Sequence, residues 1–337
     1  MGGKAAKLAP RIGTHNGVFH CDEALACFML RSLPAYKDAD IIRTRDPQKL
    51  AECDVVVDVG AEFDASRHRY DHHQREFALT MEALGLLPFK TKLSAAGLVY
   101  AHFGKEVIRA LLTPQQLSED NLRLLYKKLY EKFVEEVDAV DNGVKQTEGV
   151  PRYAVTTTLA SRVGALNPAW NAKEPRPADV CFADAMALTG NEFTERLRFY
   201  HDAWLPARDA VAQAIQNRHQ LDPSGAVILL EAGGLPWKEH LFALEEELKI
   251  KPGELKYVLY EDEAQNWRVQ CIPVGPLQGF DSRLPLPEAW RGLRGEALSE
   301  ESGIKDCIFV HAAGFIGGNA SKDGALLMAR RALLTSL

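Results

Sequence analysis

At 337 residues, with 46% hydrophobic and 26% charged content, the chain is an ordinary globular protein long enough for two domains. No stretch approaches the roughly 20 apolar residues that a membrane helix needs, and Met1 to Lys7 lacks the apolar core of a secretion signal. The net charge of −6, from 46 acidic against 40 basic side chains, excludes a broadly basic nucleic-acid surface; a polyanion has to be held locally, by a basic groove or by cations that offset acidic ligands.

Six cysteines (21, 27, 53, 181, 271 and 307) are scattered without a C-x-x-C pair. This argues against a zinc knuckle or disulfide framework and for a reducing compartment. In chain order, Arg11–Thr14 reads as a strand, and 22–33 as a helix with Ala24, Leu25, Phe28 and Met29 at helical spacing and Pro34 beyond. Residues 40–44 form a second strand, Asp46-Pro47 opens a helical turn, and the β-branched run 54–59 is a buried strand. Helices come next at 94–112 and 117–140, the second ending at Asn142-Gly143, and a further one at 192–218 is kinked by Pro206. Asp222 to Gly225 is a turn and the expected domain boundary. Beyond it, strands are expected at 226–230, 257–260, 267–272 and 307–311, then a glycine-rich turn at 314–318 and a closing helix at 323–334. The expected fold is α/β: a mainly parallel, helix-flanked sheet in residues 1–221, then a smaller α+β domain in 226–337.

Histidines and aspartates crowd the ends of the first strands. His15, His20 and Asp22 lie on the turn between the first strand and helix. Asp58 ends a strand, Asp71-His72-His73 comes after another, and Asp138 and Asp141 end the 117–140 helix. Ligands in such sheets meet beyond the carboxyl ends of the strands. Imidazole and carboxylate together suit manganese, zinc or iron, whereas magnesium prefers oxygen alone. Two of each would fill one site, so this inventory suits a pair of ions, the arrangement that promotes in-line displacement at phosphorus. Asp22 and Asp141 also read as helix-end residues, and Glu23, Glu135, Glu136 and His68 as solvated or supporting ones.

The series Val57-Asp58, Asp71-His72-His73 and Asp141 resembles the signature of the DHH phosphoesterases. More closely, Ile12 to Gly17, His20 to Glu23 and Arg69 to Gln74 resemble the Myg (melanocyte proliferating gene) family. Glu135 to Gly143, Ser282 to Pro287 and Val310 to Gly318 extend that likeness over nearly the whole chain. The resemblance implies a two-domain hydrolase with its active site in the cleft, removing nucleotides from the 3′ end of single-stranded RNA with two divalent ions, manganese foremost and magnesium possible. The runner-up is a phosphoesterase on short oligonucleotides, cyclic dinucleotides or pyrophosphate. His15, Asp22, Asp58, His72 and Asp141 match metal positions of the superfamily, Asp58 as the bridging ligand. His20 joins them where relatives generally carry an aspartate. His73 would face the phosphate or leaving group, with Asp71 the other catalytic candidate.

In the C-terminal domain the resemblance implies a substrate-binding module, with His311, Gly317 and Gly318 approaching the substrate phosphate. Arg283 offers a bidentate phosphate contact and Phe315 a surface for a base. The resemblance further implies nucleus, nucleolus and mitochondrion; without a recognisable leader, nucleus or cytosol is the expectation for this form.

Overall fold

The computed structural model describes residues 9–276 and 281–335, in two compact units, Met1–Tyr200 and His201–Leu337. The division falls earlier than the turn at 222–225, because the helices before that turn pack with the second unit's strand Val227–Leu229 and helix Trp237–Glu247. Among the described residues, no helix is long and apolar enough to cross a membrane, and all six cysteines are free and buried.

The first unit starts with β1 (Arg11–Thr14), α1 (Cys21–Arg31), β2 (Asp40–Arg43), α2 (Pro47–Ala51) and β3 (Val55–Val57), then the short β4 (Phe63–Asp64) and β5 (Arg69–Tyr70). Helices α1 and α2 carry the chain between β1, β2 and β3, so β1 runs parallel to both; β3 is parallel to β5, reached through the antiparallel β4. The order β2-β1-β3-β5-β4 puts β1, β3 and β5 side by side, which gathers the residues just beyond their carboxyl ends. All three valines of β3 are buried, as its β-branched composition requires.

Helices α3 (Ala95–Leu112), α4 (Glu119–Leu129), α5 (Glu135–Asp141), α6 (Leu159–Gly164) and α7 (Ala178–Phe199) complete the unit. The rod expected over 117–140 is α4 and α5 joined by a π-helical turn at Tyr130–Val134. Asp138, read from the sequence as a further ligand, instead locks α5 to the start of α3. Its carboxylate accepts from the Ser94 N–H and hydroxyl (2.9 and 2.7 Å) and from the Tyr130 hydroxyl (2.9 Å). Burial pushes Asp138 up to about 7 against those hydrogen bonds. Gly97 stands where any Cβ would run into this carboxylate, so the lock needs glycine there.

The second unit contains α8 (Leu205–Gln216), α9 (Arg218–Leu221), β6 (Val227–Leu229), α10 (Trp237–Glu247), β7 (Tyr257–Glu261), β8 (Trp267–Cys271), α11 (Gly295–Ser302), β9 (Cys307–Val310), β10 (Ile316–Asn319) and α12 (Lys322–Leu334). Its sheet, β6-β7-β8-β10-β9, is parallel between β6 and β7 and antiparallel elsewhere. Alternation along the strands serves two cores. Ile228 and Val258 pack with Val211 and Leu241 of α8 and α10, whereas Val227, Tyr257 and Leu259 pack with Leu298 of α11 and Met328 of α12. The glycine-rich stretch at 314–318 is not all turn: residues from Ile316 onward are the strand β10.

Candidate active site

Three strand ends and two helix ends build the site. His15 comes directly after β1 and is buried, its Nε2 3.0 Å from Glu23 and 3.3 Å from Asp58. Asp58 comes directly after β3 with a φ of +56°, a left-handed conformation costly for a side-chain-bearing residue and typical of functional sites. His72, two residues past β5, places Nε2 3.2 Å from Asp58 and 3.1 Å from Asp141, the last residue of α5. Asp22, in the first turn of α1, is fully buried. Asp58 therefore stands between two imidazoles, one from each side.

Glu23 is the residue that sequence reasoning underrated. It is fully buried, bonds His15, and accepts from the His20 backbone N–H at 2.8 and 3.0 Å. The available signal was its place three residues after the helix-capping position, the capping-box spacing. His20 itself is exposed, and its ring lies 5.7 Å from that of His15. Ligand-capable atoms gather in three overlapping groups: His15, His20, Glu23 and Asp58; Asp58, His72 and His73; His20, Asp22 and Asp141.

The electrostatics are those of a site with surplus negative charge. Burial disfavours a charged His15, but the bonds from Asp58 and Glu23 win and hold it at about 10. Burial likewise opposes ionisation of Asp58, but His15 and His72 outweigh it and hold the carboxyl down at about 2. Asp22 has no such relief. Burial first, then Asp58, Glu23 and Asp141, push it well above the carboxylate range. Asp141 is raised chiefly by burial, and His72 is raised despite its burial by Asp58 and Asp141.

Divalent ions fit this chemistry. Both Asp22 oxygens and the His72 Nδ1 are buried without a hydrogen-bond partner, a condition that native interiors rarely leave unanswered. The donor set mixes carboxylate and imidazole, as expected for manganese or another transition ion. The residues surround a cavity of about 990 Å³ whose wall also includes Arg45, Lys92 and Gln74.

His73 differs from its neighbour. Its side chain is 60% exposed, with Nδ1 2.7 Å from Asp71 Oδ1. Asp71 is buried, and its other oxygen accepts from the Ala61 N–H at 2.6 Å. The pair forms a supported imidazole at the cavity wall, with Nε2 its remaining polar edge. Asp71→Asn is expected to lower turnover by about 10- to 100-fold, because a supporting carboxylate orients rather than reacts, while metal affinity stays near that of the wild type. Steady-state kinetics beside metal titration checks this; an equal loss of metal binding would make Asp71 a ligand instead.

The C-terminal candidates, all in the second unit, divide. His311 is exposed, its Nδ1 accepting from the Ala313 N–H at 3.1 Å, and its ring is 4.6 Å from that of half-buried Phe315. Gly317 and Gly318 do not form an open cradle but lie buried in β10. A Cβ on Gly317 would meet Leu286 and Met328 at 3.0 and 3.1 Å, and one on Gly318 would strike Arg268. Arg283 is a correction. It is 7% exposed, and its fork is closed on Glu245 at 2.6 and 2.7 Å, with the Pro273 and Leu255 carbonyls taking further protons. Four of its five N–H groups are engaged in this way, which leaves no edge for a bidentate phosphate contact. Arg283→Ala is expected to cost about 3 kcal/mol in urea denaturation, since it strands a buried carboxylate, and to leave kcat/KM of the folded enzyme unchanged.

The family model MYG1_exonuc, described as "Uncharacterised protein family (UPF0160)", matches residues 11–333. "MYG1 exonuclease" of Homo sapiens is 57% identical over 96% of this chain and 86% of its own length. "MYG1 protein" of Dictyostelium discoideum is 46% identical over 96% of each. A solved structure, "Crystal structure of exonuclease RecJ bound to manganese", aligns with 97% of this chain and 90% of that one at 14% identity and a TM-score of 0.23, a likeness too loose to carry a residue across.

Proposed function

The chain belongs to the MYG1 family (UPF0160), and from that premise we propose that it is a metal-dependent exonuclease, releasing nucleotides from the 3′ end of single-stranded RNA. The observation that carries this reading is Asp58, buried between His15 and His72 and flanked by the orphaned carboxylate of Asp22. The names of the mammalian relatives, "MYG1 exonuclease", support a nuclease. RNA and the 3′ end rest on the motif resemblance alone.

His15, Asp22, Asp58, His72 and Asp141 would hold two divalent ions, manganese foremost, with His20 and Glu23 at the same cluster. When bound, such ions neutralise the scissile phosphate and make water nucleophilic near neutral pH. Arg45 and Lys92, on the cavity wall, draw the phosphodiester in and orient it. His73, held by Asp71, presents Nε2 for a proton to the departing 3′ oxygen or a hydrogen bond to a phosphate oxygen. No side-chain nucleophile is required.

A small-substrate phosphoesterase remains the second reading, favoured by the net charge of −6. Hydrolysis of a single-stranded RNA labelled at its 5′ end separates the two. With manganese, a ladder shortening one nucleotide at a time is expected. Immediate release of a labelled mononucleotide would reverse the direction, and intact RNA alongside cleaved pyrophosphate or dinucleotide would establish the second reading.

A further inference from the structure

The metal-ligand cavity does not end at Asp141. Val137, Val140 and Ala160 line it and also line a second cavity of about 220 Å³, so the two share a wall. Lys132, from the π-helical turn between α4 and α5, Arg162 of α6 and Arg196 of α7 lie around this second space, facing Glu136 and Glu192. Its size is below the roughly 300–1,000 Å³ of pockets that hold a whole small ligand. It suits one unit of a longer chain whose end lies in the larger cavity.

Resting on the exonuclease reading, we propose that this second cavity is a subsite for the next sugar-phosphate unit of the single-stranded substrate, with Arg196 and Arg162 meeting its phosphate. Charge is the first argument. Arg162 and Arg196 place two cations at this space, whereas Lys132 is held by Glu131 at 2.8 Å and is not counted among them. Availability is the second. Arg196 is exposed and has no ion pair among the described residues. Arg162 pairs with Glu192 at 2.8 Å, but both ends are well exposed (47% and 37%), so exchanging that partner for a phosphate costs little. Position is the third: the shared residues Val137 and Val140 precede Asp141 on α5, so a strand leaving the ligand cluster along this helix reaches the basic side chains.

The test compares wild type with the double variant Arg162→Ala/Arg196→Ala on an RNA decamer and on a dinucleotide, both with manganese and over a salt series. Both arginines are exposed, so the fold is not at risk. The wild type is expected to favour the decamer in kcat/KM by about 10-fold or more, the worth of one or two charge-assisted contacts. The double variant should lose most of that preference and keep its dinucleotide rate. Its log–log salt slope on the decamer should become shallower by about 0.7, the value for one lost phosphate contact on a single strand. An unchanged decamer rate, or an equal fall on both substrates, would overturn the subsite and leave the exonuclease reading standing. Failure of the wild type to cleave either RNA would overturn that reading and the subsite with it.

Discussion

Asp58→Asn is expected to lower the proposed manganese-dependent RNA hydrolysis by about 10³- to 10⁴-fold, the loss typical of an essential group in an active site. The substitution keeps the volume of the side chain and removes only its charge. In the native cluster that charge is what two buried imidazoles from opposite sides share, at 3.3 and 3.2 Å. A neutral amide can still bond one of them but cannot be the common ligand of two ions. The left-handed φ of +56° at this position tolerates asparagine better than most residues, so the backbone turn should survive. Circular dichroism and a melt of the metal-free variant check that the loss is chemical. Retention of more than about a tenth of the activity would remove Asp58 from the centre of the mechanism.

Metal removal is the second large effect. Chelation is expected to abolish turnover, and manganese at about 100 times its Kd to raise the stability of the metal-free protein by roughly 2.7 kcal/mol, a shift in Tm of about 5–11 °C for a unit of this size. The cause lies in the buried carboxylates, which oppose one another until cations arrive. The same groups set the sign with pH. In the metal-free fold His15 keeps its proton to about 10 instead of 6.5, so its stabilisation is whole below 6.5 and is lost as pH rises through 10. Asp22, raised well above 3.8, likewise contributes fully below 3.8 and loses its contribution as pH climbs through its raised value. Both act in one direction, and His15 alone makes the metal-free protein weaken as pH rises from neutral to alkaline. Metal needs an ionised Asp22 and a neutral His15, so its affinity should grow over the same range. Thermal melts with and without manganese from pH 6 to pH 9 read both trends. Asp22→Asn should flatten much of the metal response; a variant that still gained the full shift would place the ions elsewhere.

Much of this arrangement was legible before any coordinates. Strand 11–14 and the helix ending at Leu112 bury most of the apolar residues that mark them in the sequence, and β3 is a run of three valines that cannot face water. Once those strands lie parallel, the residues beyond their carboxyl ends must converge, and His15, Asp58 and His72 do. Other features were hidden for identifiable reasons. Helix α7 begins at Ala178, earlier than read, because Thr189 and Gly190 interrupt its apolar stripe. Gly190 is there because Phe28 of α1 packs where its Cβ would be. Strand β10 was read as a turn because Gly317 and Gly318 lack the β-branched signature, yet their missing side chains make room for Met328 of α12 and for Arg268. Arg283 looked free because its partner Glu245 lies 38 residues earlier on a helix that was not anticipated. Glu23 looked like surface because a helix-capping glutamate usually is; only packing shows it buried beneath His15. Asp138 and Asp141 looked alike in sequence, and only the hydroxyls of Ser94 and Tyr130 separate the structural carboxylate from the candidate ligand.

Anomalous scattering from a manganese-loaded crystal tests the central claim most directly. Two peaks should lie in the 990 Å³ cavity, both within coordination distance of Asp58, one toward His15 and Glu23 and the other toward His72. A cavity without manganese, or peaks confined to surface carboxylates, would contradict the claim.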